Sequence, residues 1–305
     1  MSLLVIGTVA FDAIETPFGK TDKIVGGAAT YAGLAATYFY DKVKIVAVVG
    51  DDFPQEEIKD FEKHGIDTKG LQIKKGEKSF FWSGKYHNDM NSRDTLITEL
   101  NVLADFDPII PESYQDCEYL MLGNLTPQVQ QTVIKRLTKR PKLIVMDTMN
   151  FWMDIAMDDL KETIKLVDVL TINDAEARQL SGEYSLVKAA RKILTMGPKY
   201  LIIKKGEHGA LLFNEDKIFS APALPLADVF DPTGAGDTFA GGFIGYLAKV
   251  GTINFNNMKN ALIYGSALAS FCVEKFGTEK IKNLTDEEIA NRIKEFVSLS
   301  AFEIA

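Results

Sequence analysis

A glycine-rich stretch in the last quarter of the chain, residues 231–243, could carry phosphate chemistry. Gly234 and Gly236 let the backbone turn without a Cβ clash, and Ala235 between them is small. A helix starting near Asp237 would direct free N–H groups and the positive end of its dipole at an anion. The Asp237 carboxylate would lie beside that anion and could accept the proton of an attacking hydroxyl. The same spacing also suits an ordinary aspartate at a helix start after a glycine turn.

Two clusters in the first tenth of the chain have residue types that binding sites use. Gly26 and Gly27 precede a run of small residues that includes Tyr31, although this pattern is also typical of a tightly packed helix start. Asp12 follows the first apolar strand, where it is either a turn residue or a ligand. A carboxylate offers two acceptor oxygens, which suits the vicinal hydroxyls of a sugar.

Two polar segments follow apolar strands later in the chain. Asn173 opens a helix with Glu176 as its third residue, which is the spacing of a capping box. Lys204 and Gly206 lie between two apolar runs, which predicts a hairpin turn. The sequence contains no G-x-x-x-x-G-K-[ST] loop, so a P-loop kinase is excluded. It also contains no G-x-S-x-G nucleophile elbow.

These residues must be positioned by an alternation of strands and helices. Near-continuous apolar runs suit strands buried on both faces of a parallel sheet, and they lie at residues 3–9, 43–49, 119–122, 143–146, 169–172 and 200–203. Helical patterns lie between them at residues 28–38, 55–64, 128–138, 158–166 and 186–195. Three further helices are predicted in succession at residues 237–250, 258–274 and 286–297. The pattern predicts one doubly wound α/β domain over residues 1–305.

Two segments interrupt this alternation. Residues 12–24 follow the first strand without a helix, and residues 74–96 combine a β-prone aromatic run with a polar stretch. We predict that both contribute to a small β-structured flap over one edge of the main domain. In a regular strand, Phe80, Trp82 and Tyr86 share one face and Phe81 points to the other.

Composition excludes several classes of function. The net charge of −8 argues against nucleic acid as a partner, because phosphate backbones demand basic surfaces. No apolar run reaches the roughly 18 residues of a membrane helix, and the first residues lack the pattern of a signal peptide. Cys117 and Cys272 lie in apolar surroundings and are predicted to be buried thiols. We expect a cytoplasmic protein without a membrane or nucleic-acid partner.

Residues 231–243 resemble the C-terminal signature of the ribokinase-like (PfkB) family, and Gly26 and Gly27 resemble its N-terminal signature. The resemblance extends over nearly the whole chain and implies a three-layer α/β/α fold with a β-sheet lid, formed here by residues 12–24 and 74–96. It implies that Gly234, Ala235 and Gly236 donate backbone N–H groups to the γ-phosphate of ATP and that Asp237 is the base. Pro232 stands where the family signature has another residue.

The resemblance also implies roles for the other clusters. Asp12, Gly26, Gly27 and Tyr31 would contact the substrate, although the family often has asparagine where this chain has Tyr31. Asn173 and Glu176 would organise Mg²⁺ and the ATP phosphates, with the carboxylate acting through water because Mg²⁺ keeps several waters. Lys204, Gly206 and Thr233 would lie beside the nucleotide. Asp231 and Thr233 are candidates for a monovalent-cation site, with K⁺ as the candidate ion.

The leading hypothesis is transfer of the ATP γ-phosphate to an alcohol group of a sugar. A nucleoside is the alternative acceptor, because Phe11, Phe80, Trp82 and Tyr86 could stack on a base or equally pack the lid against itself. A non-enzymatic binding protein would be favoured by loss of Asp237 or the glycines, which are present. A nicotinamide dehydrogenase would need G-x-G-x-x-G after the first strand, and this motif is missing there. An exposed second lid face favours a homodimer over a capped monomer.

Overall fold

The computed structural model describes residues 2–301 and 303. The strands, in chain order, are β1 (Leu3–Ile6), β2 (Ala10–Thr16), β3 (Gly19–Lys20), β4 (Ile24–Gly26), β5 (Val43–Gly50), β6 (Ile66–Lys74), β7 (Phe81–Tyr86), β8 (Arg93–Glu99), β9 (Tyr119–Leu122), β10 (Leu143–Asp147), β11 (Val169–Asn173), β12 (Tyr200–Lys204), β13 (Ala210–Phe213) and β14 (Ile218–Ala221). The α-helices are α1 (Ala28–Thr37), α2 (Gln55–Lys63), α3 (Pro127–Arg136), α4 (Asn150–Ile155), α5 (Met157–Ile164), α6 (Asp174–Ser181), α7 (Leu186–Leu194), α8 (Ala235–Val250), α9 (Phe255–Cys272) and α10 (Asp286–Ser300).

The central sheet has nine strands in the order β14-β13-β12-β11-β10-β9-β1-β5-β6. Every pairing from β12 to β6 is parallel, and only β13 and β14 are added antiparallel at one edge. The predicted α/β class with a mostly parallel sheet is therefore confirmed. Strand β6 was missed by the sequence prediction, because this edge strand is partly exposed and contains three consecutive polar residues, 67–69, instead of forming an apolar run.

Two hydrophobic cores cover the two faces of this sheet. Leu3 and Val5 of β1 belong to the core that contains Phe239 and Phe243 of α8, whereas Leu4 and Ile6 belong to the core on the other face. Alternate residues of a strand point to opposite faces, so each buried strand contributes to both cores. The second core takes its helical residues from α3, α4, α5, α6 and α7. This arrangement is the predicted three-layer α/β/α architecture.

A separate five-stranded sheet forms the predicted lid, with the path β3-β2-β7-β8 and β4 paired to β2. It uses residues from both predicted segments, but β6 of the central sheet extends to Lys74, so the second lid segment begins only at β7. Phe81 packs against the main core and lies under the ammonium of Lys23 at 5.2 Å. The expectation that the second face of β7 is exposed is therefore wrong at Phe81.

The carboxyl edge of the central sheet concentrates polar side chains. Asp147, Asn173 and Lys204 are the last residues of the neighbouring strands β10, β11 and β12. In a doubly wound fold, ligands bind at this edge. Among the described residues no helix is both long and apolar enough to cross a membrane.

Candidate active site

The loop before α8 and the first turn of that helix form the centre of the site. Gly234 has φ +75°, a left-handed conformation that favours glycine, and a Cβ there would lie 2.5 Å from ring carbons of Tyr31. The helix begins at Ala235, and no side chain caps its first-turn N–H groups. Ala235 donates its N–H to the Pro232 carbonyl at 3.2 Å, so this amide is already engaged inside the loop.

Asp237 lies in this first turn, at the positive end of the helix dipole. Burial and the nearby carboxylate of Asp147 raise its pKa to about 7, while the positive charges of Lys204 and Arg93 act in the opposite direction. A carboxyl with a pKa near neutrality can accept a proton from an alcohol and release it again at physiological pH. The geometry is thus compatible with the predicted role of a general base.

Lys204 lies directly beneath the glycine loop. Its ammonium is 3.1 and 3.2 Å from the two carboxylate oxygens of Asp147. It is also 3.1 Å from the position that a Cβ on Gly236 would occupy, so a larger residue at that position would press on the ammonium. Burial disfavours the charged form, but Asp147, Glu176 and Asp237 together outweigh it and raise the pKa of Lys204. The structure therefore keeps a permanent cation at the predicted anion site.

The sequence reasoning missed Asp147. Its carboxylate also accepts a 3.1 Å hydrogen bond from the Thr171 hydroxyl, and its side chain is buried. The signal that could have revealed it was a charged residue at the carboxyl end of an otherwise apolar strand, because strand ends at this edge form ligand sites.

Asn173 and Glu176 form the capping box that their spacing predicted. The Asn173 side chain accepts the Glu176 N–H at 2.8 Å, and one Glu176 oxygen accepts the Asn173 N–H at 2.7 Å. Glu176 is nevertheless buried, and this burial raises its pKa to about 7. The structural role and the predicted role near Mg²⁺ are compatible, since the second carboxylate oxygen is not used by the cap.

The Mg²⁺ expected from the sequence fits this edge only as a partly hydrated ion. The described residues contain no cluster of three or more histidine, cysteine or carboxylate side chains able to hold a metal. Mg²⁺ binds through one or two carboxylates together with waters and substrate phosphates, so a dedicated protein cage is not required. Glu176 is the side chain that would hold it, through water.

Asp12 lies on the lid side of the same edge, on β2. It is 5% exposed, and its carboxylate occupies the space over Gly26, where a Cβ would lie 1.9 Å from Oδ2. Gly27 has φ +94° and approaches the Thr8 carbonyl so closely that a Cβ would lie 2.5 Å from it. Burial, reinforced by the charges of Asp231 and Asp237, raises the pKa of Asp12 to about 7. A side chain at Gly26 would collide with the Asp12 carboxylate, and one at Gly27 would collide with the Thr8 carbonyl, so both positions require glycine.

Tyr31 lies between the substrate side and the glycine loop. The residue is 1% exposed, and its ring forms the floor under Gly234. Within residues 2–301 and 303, its hydroxyl has no hydrogen-bond partner. Burial and the charge of Asp12 raise its pKa, so it stays a neutral donor. A buried, unpartnered hydroxyl is costly unless a ligand satisfies it.

Asp231 joins the loop before α8 to the loop after α9. One carboxylate oxygen accepts the Thr233 N–H at 2.8 Å, and the other accepts the Gly277 N–H at 2.9 Å. These bonds hold the segment of Asp231 and Thr233, which was predicted to line a monovalent-cation site, against the loop after α9. The Thr233 hydroxyl in turn donates to the hydroxyl of Tyr86 on the lid, at 3.2 Å.

Gly206 lies in the turn between β12 and β13, which form the predicted antiparallel hairpin. Its φ is +55°, and a Cβ there would lie 2.3 Å from Oδ1 of Asn91 in the lid. At the candidate site, the lid therefore contacts the central domain through Tyr86 near the glycine loop and through Asn91 near this turn. Neither contact could be anticipated from spacing along the chain, since each joins segments more than 100 residues apart.

Comparisons with known proteins agree with this architecture. The model of the pfkB family carbohydrate kinases matches residues 2–284. A cytidine kinase of Thermococcus kodakarensis is 32% identical over 250 residues, which cover 80% of this chain and 87% of that protein. A nucleoside kinase of Methanothermobacter thermautotrophicus is 24% identical, with 99% of this chain and 97% of that protein covered.

Among solved structures, a putative ribokinase II from E. coli in complex with ATP and Mg²⁺ superposes with a TM-score of 0.77. Its sequence identity is 19%, and the superposition covers 98% of this chain and 99% of the other. At this identity the likeness establishes the fold, which agrees with the sheet order and lid described above.

Proposed function

Because the chain belongs to the pfkB family of carbohydrate kinases, we propose that it transfers the γ-phosphate of ATP to the hydroxymethyl group of a nucleoside. The observation that carries the acceptor class is the 32% identity to a cytidine kinase over 80% of this chain. The sequence alone put a sugar first and a nucleoside second. The cytidine kinase and the nucleoside kinase named above support the reverse order.

The lid supports a nucleoside through the pairing of two side chains. Asp12 on β2 is the register partner of Trp82 on β7 in a parallel pair, so their side chains leave the lid on the same face. The Trp82 indole folds over Gly84, where a Cβ would lie 2.1 Å from the ring. A carboxylate for ribose hydroxyls beside an indole for a planar base suits both halves of a nucleoside.

Phosphoryl transfer assigns each residue one task. Asp12 accepts hydrogen bonds from the ribose hydroxyls and orients the acceptor, while the unpartnered Tyr31 hydroxyl meets another polar group of it. Asp237 takes the proton as the acceptor oxygen attacks phosphorus. The N–H groups at Gly234 and Gly236 and the ammonium of Lys204 balance the charge of the moving phosphoryl group. Ala235 contributes its small size, since its own N–H is engaged with Pro232.

ATP and Mg²⁺ would occupy the opposite half of the edge. Asn173, Glu176, Lys204, Gly206 and Thr233 line that half, and Glu176 holds the hydrated ion. Mg²⁺ supplies charge neutralisation of the phosphates when it is bound. This proposal agrees with the E. coli structural relative, which binds ATP and Mg²⁺.

A monovalent cation near Asp231 and Thr233 remains part of the proposal, with K⁺ as the candidate. The Asp231 carboxylate already holds both loops of the site through backbone N–H groups. A bound cation would stabilise this buried carboxylate in its charged form. Replacing K⁺ by a large organic cation at constant ionic strength should then lower kcat, and an unchanged kcat would remove the cation from the proposal.

We also propose a homodimer that forms through the outer face of the lid. Ile97 pairs with Ser83, so it lies on the face opposite Tyr86. Ile97 and its neighbour Leu96 are 47% and 53% exposed, and every residue of the edge strand β8 is exposed. An exposed edge strand that carries two adjacent apolar side chains is a site for association, and a second copy of the lid would cover it.

A coupled assay of ADP formation tests the function directly. MgATP is offered with cytidine, uridine, adenosine, inosine and ribose, and we expect one or more nucleosides to give the highest kcat/KM. Ribose above all nucleosides would return the sugar to first place. Ligand-dependent stabilisation without ADP formation in any mixture would favour a binding protein on this fold.

A further inference from the structure

The lid hairpin places an arginine over the site that sequence reasoning did not single out. Arg93 is the antiparallel register partner of Tyr86, and opposite residues of such a pair share one face of the sheet. Tyr86 is 5% exposed, and its hydroxyl contacts Thr233 in the glycine loop. Arg93 therefore leaves the lid on the face that looks onto that loop, with its guanidinium 5.7 Å from the Trp82 ring.

The tip of the same hairpin reaches the nucleotide half of the site. Asn91, two residues before Arg93, lies against Gly206 in the turn between β12 and β13. Tyr86 contacts the glycine loop, and Asn91 contacts the turn at Gly206 on the nucleotide side. Arg93 therefore lies between the acceptor half and the nucleotide half of the site. The γ-phosphate must cross this gap when it passes from ATP to the acceptor.

Among the described residues, the guanidinium forms no ion pair. No carboxylate lies within 4.0 Å of Arg93 in the part of the chain that the structure describes. Its charge nevertheless acts on both Asp237 and Glu176, because it opposes the rise that burial causes in the pKa of each carboxyl. Arginine offers a rigid fork of donors that matches phosphate oxygens, so an anion between these groups would complete the arrangement.

We propose that Arg93 is a catalytic residue carried by the lid, whose guanidinium binds the oxygens of the transferring phosphoryl group. This inference rests on the proposed function. In the transfer, the acceptor oxygen forms its bond to the γ-phosphorus while the bond to the bridging oxygen of ADP breaks. The acceptor proton passes to Asp237, and Arg93 keeps its own protons and supplies only charge and hydrogen bonds.

Steady-state kinetics with MgATP and cytidine test the assignment. Arg93→Ala should lower kcat by at least about 100-fold, the loss typical of one donor to a charge that develops in the transition state. Arg93→Lys should recover part of it, because the charge returns without the fork. The matched control is Lys85→Ala, since Lys85 is on the same lid sheet but on its outer side, paired with Glu15. An Arg93→Ala kcat equal to that of Lys85→Ala would overturn the proposal.

A loss confined to KM for cytidine would also overturn it, since Arg93 would then belong to the acceptor pocket. A second readout does not depend on the acceptor: the affinity for MgADP with and without aluminium fluoride, which mimics the phosphoryl group. We expect the tightening by aluminium fluoride to vanish in Arg93→Ala and to persist in Lys85→Ala. Tightening that persists in both variants contradicts the contact. If wild-type protein phosphorylates no nucleoside, the proposed function fails, and this binding comparison still decides the role of Arg93.

Discussion

The ammonium of Lys204, at the end of β12, is held between both carboxylate oxygens of Asp147, at the end of β10, at 3.1 and 3.2 Å. The strand between them, β11, separates the two residues by one position in the sheet. The Lys204 ammonium lies beneath Gly236, so the pair fixes a positive charge at the floor of the predicted anion site. Because the pair is buried at this place, Lys204 could stabilise the fold, assist catalysis or do both, and variants of the two residues separate these roles.

Lys204→Met should lower kcat by about 100-fold, as expected when one group that stabilises developing charge is removed. It should also destabilise the protein, because Asp147 is left buried and unpaired. The double variant Asp147→Asn with Lys204→Met should regain stability but not kcat. Thermal melts and kinetics of the three variants form the cycle. Recovery of kcat in the double variant would make Lys204 purely structural.

A control for this cycle is the ion pair of Lys199 with Asp168, 3.2 Å apart. The Lys199 side chain is 74% exposed, so Lys199→Met removes the same charge as Lys204→Met, but from the surface and not from a buried site. Lys199→Met should leave both activity and melting temperature close to wild type, since Lys199 itself is exposed and the buried Asp168 keeps its 3.1 Å ion pair with Arg140.

Asp237→Asn should lower kcat by about 10²- to 10⁴-fold, because an amide cannot accept the acceptor proton. Binding of MgATP, measured by calorimetry, should remain close to wild type. Asp286→Asn makes the same change in the first turn of α10, at an exposed position, and serves as the control. A kcat near that of wild type would remove Asp237 from the role of base.

The pH profile follows from the direction of the pKa shift of Asp237. Its pKa is raised to about 7, and only the deprotonated base accepts a proton, so kcat/KM should fall as pH drops below 7. Lys204 lowers this pKa, so Lys204→Met should move the acidic limb to higher pH. Rates measured in overlapping buffers from pH 5 to 9 give the midpoint. A limb that stays flat to pH 5 would contradict this environment for Asp237.

The same shift makes a prediction about stability. Asp237 binds its proton more tightly in the folded than in the unfolded protein, so its charge destabilises the fold above pH 7. As pH falls through 7 towards about 4, the folded carboxyl becomes neutral and this penalty disappears. Asp237→Asn should therefore raise the melting temperature at pH 8, with a smaller gain at pH 5. An equal gain with Asp286→Asn would show that the effect is not one of burial.

Asp12→Ala should weaken acceptor binding about ten- to a hundredfold, the loss expected for a hydrogen bond to a charged group. Affinity for MgATP should change little, because Asp12 lies on the lid side of the edge. Asp22→Ala, an exposed change in the neighbouring lid turn, is the matched control. Isothermal titrations with cytidine and with MgATP measure the two affinities in both variants. An acceptor Kd that does not change would reduce Asp12 to a turn residue.

Ile97→Asp should convert a dimer into a monomer, because a charge would be buried at the proposed contact between lids. Ile109→Asp places the same charge on another exposed isoleucine, 63% exposed and outside the lid, and should leave assembly unchanged. Sedimentation at micromolar concentration distinguishes the two species. A wild-type protein that sediments only as a monomer, or an Ile97→Asp dimer, would rule out this contact.

The parallel sheet and the lid could be anticipated from short-range patterns. Apolar runs such as that of β5 must be buried on both faces, and residues 12–24 lack a helical period, so each pattern has one main structural solution. The edge strand β6 escaped prediction because it is partly exposed and polar residues interrupt its apolar ones. The exposed face expected at Phe81 was wrong because Phe81 packs on the main core, which a local pattern does not contain.

The glycine loop, the capping box of Asn173 and the candidate base Asp237 were determined by the sequence itself, because their chemistry depends on neighbours a few residues away. The partners of these groups were decided only by tertiary structure. Asp147 meets Lys204 because two strands end at one edge of the sheet, and Arg93 faces the glycine loop because of its register opposite Tyr86. Burial, which sets the pKa values of Asp12 and Asp237 near 7, likewise exists only once the layers and the lid have assembled.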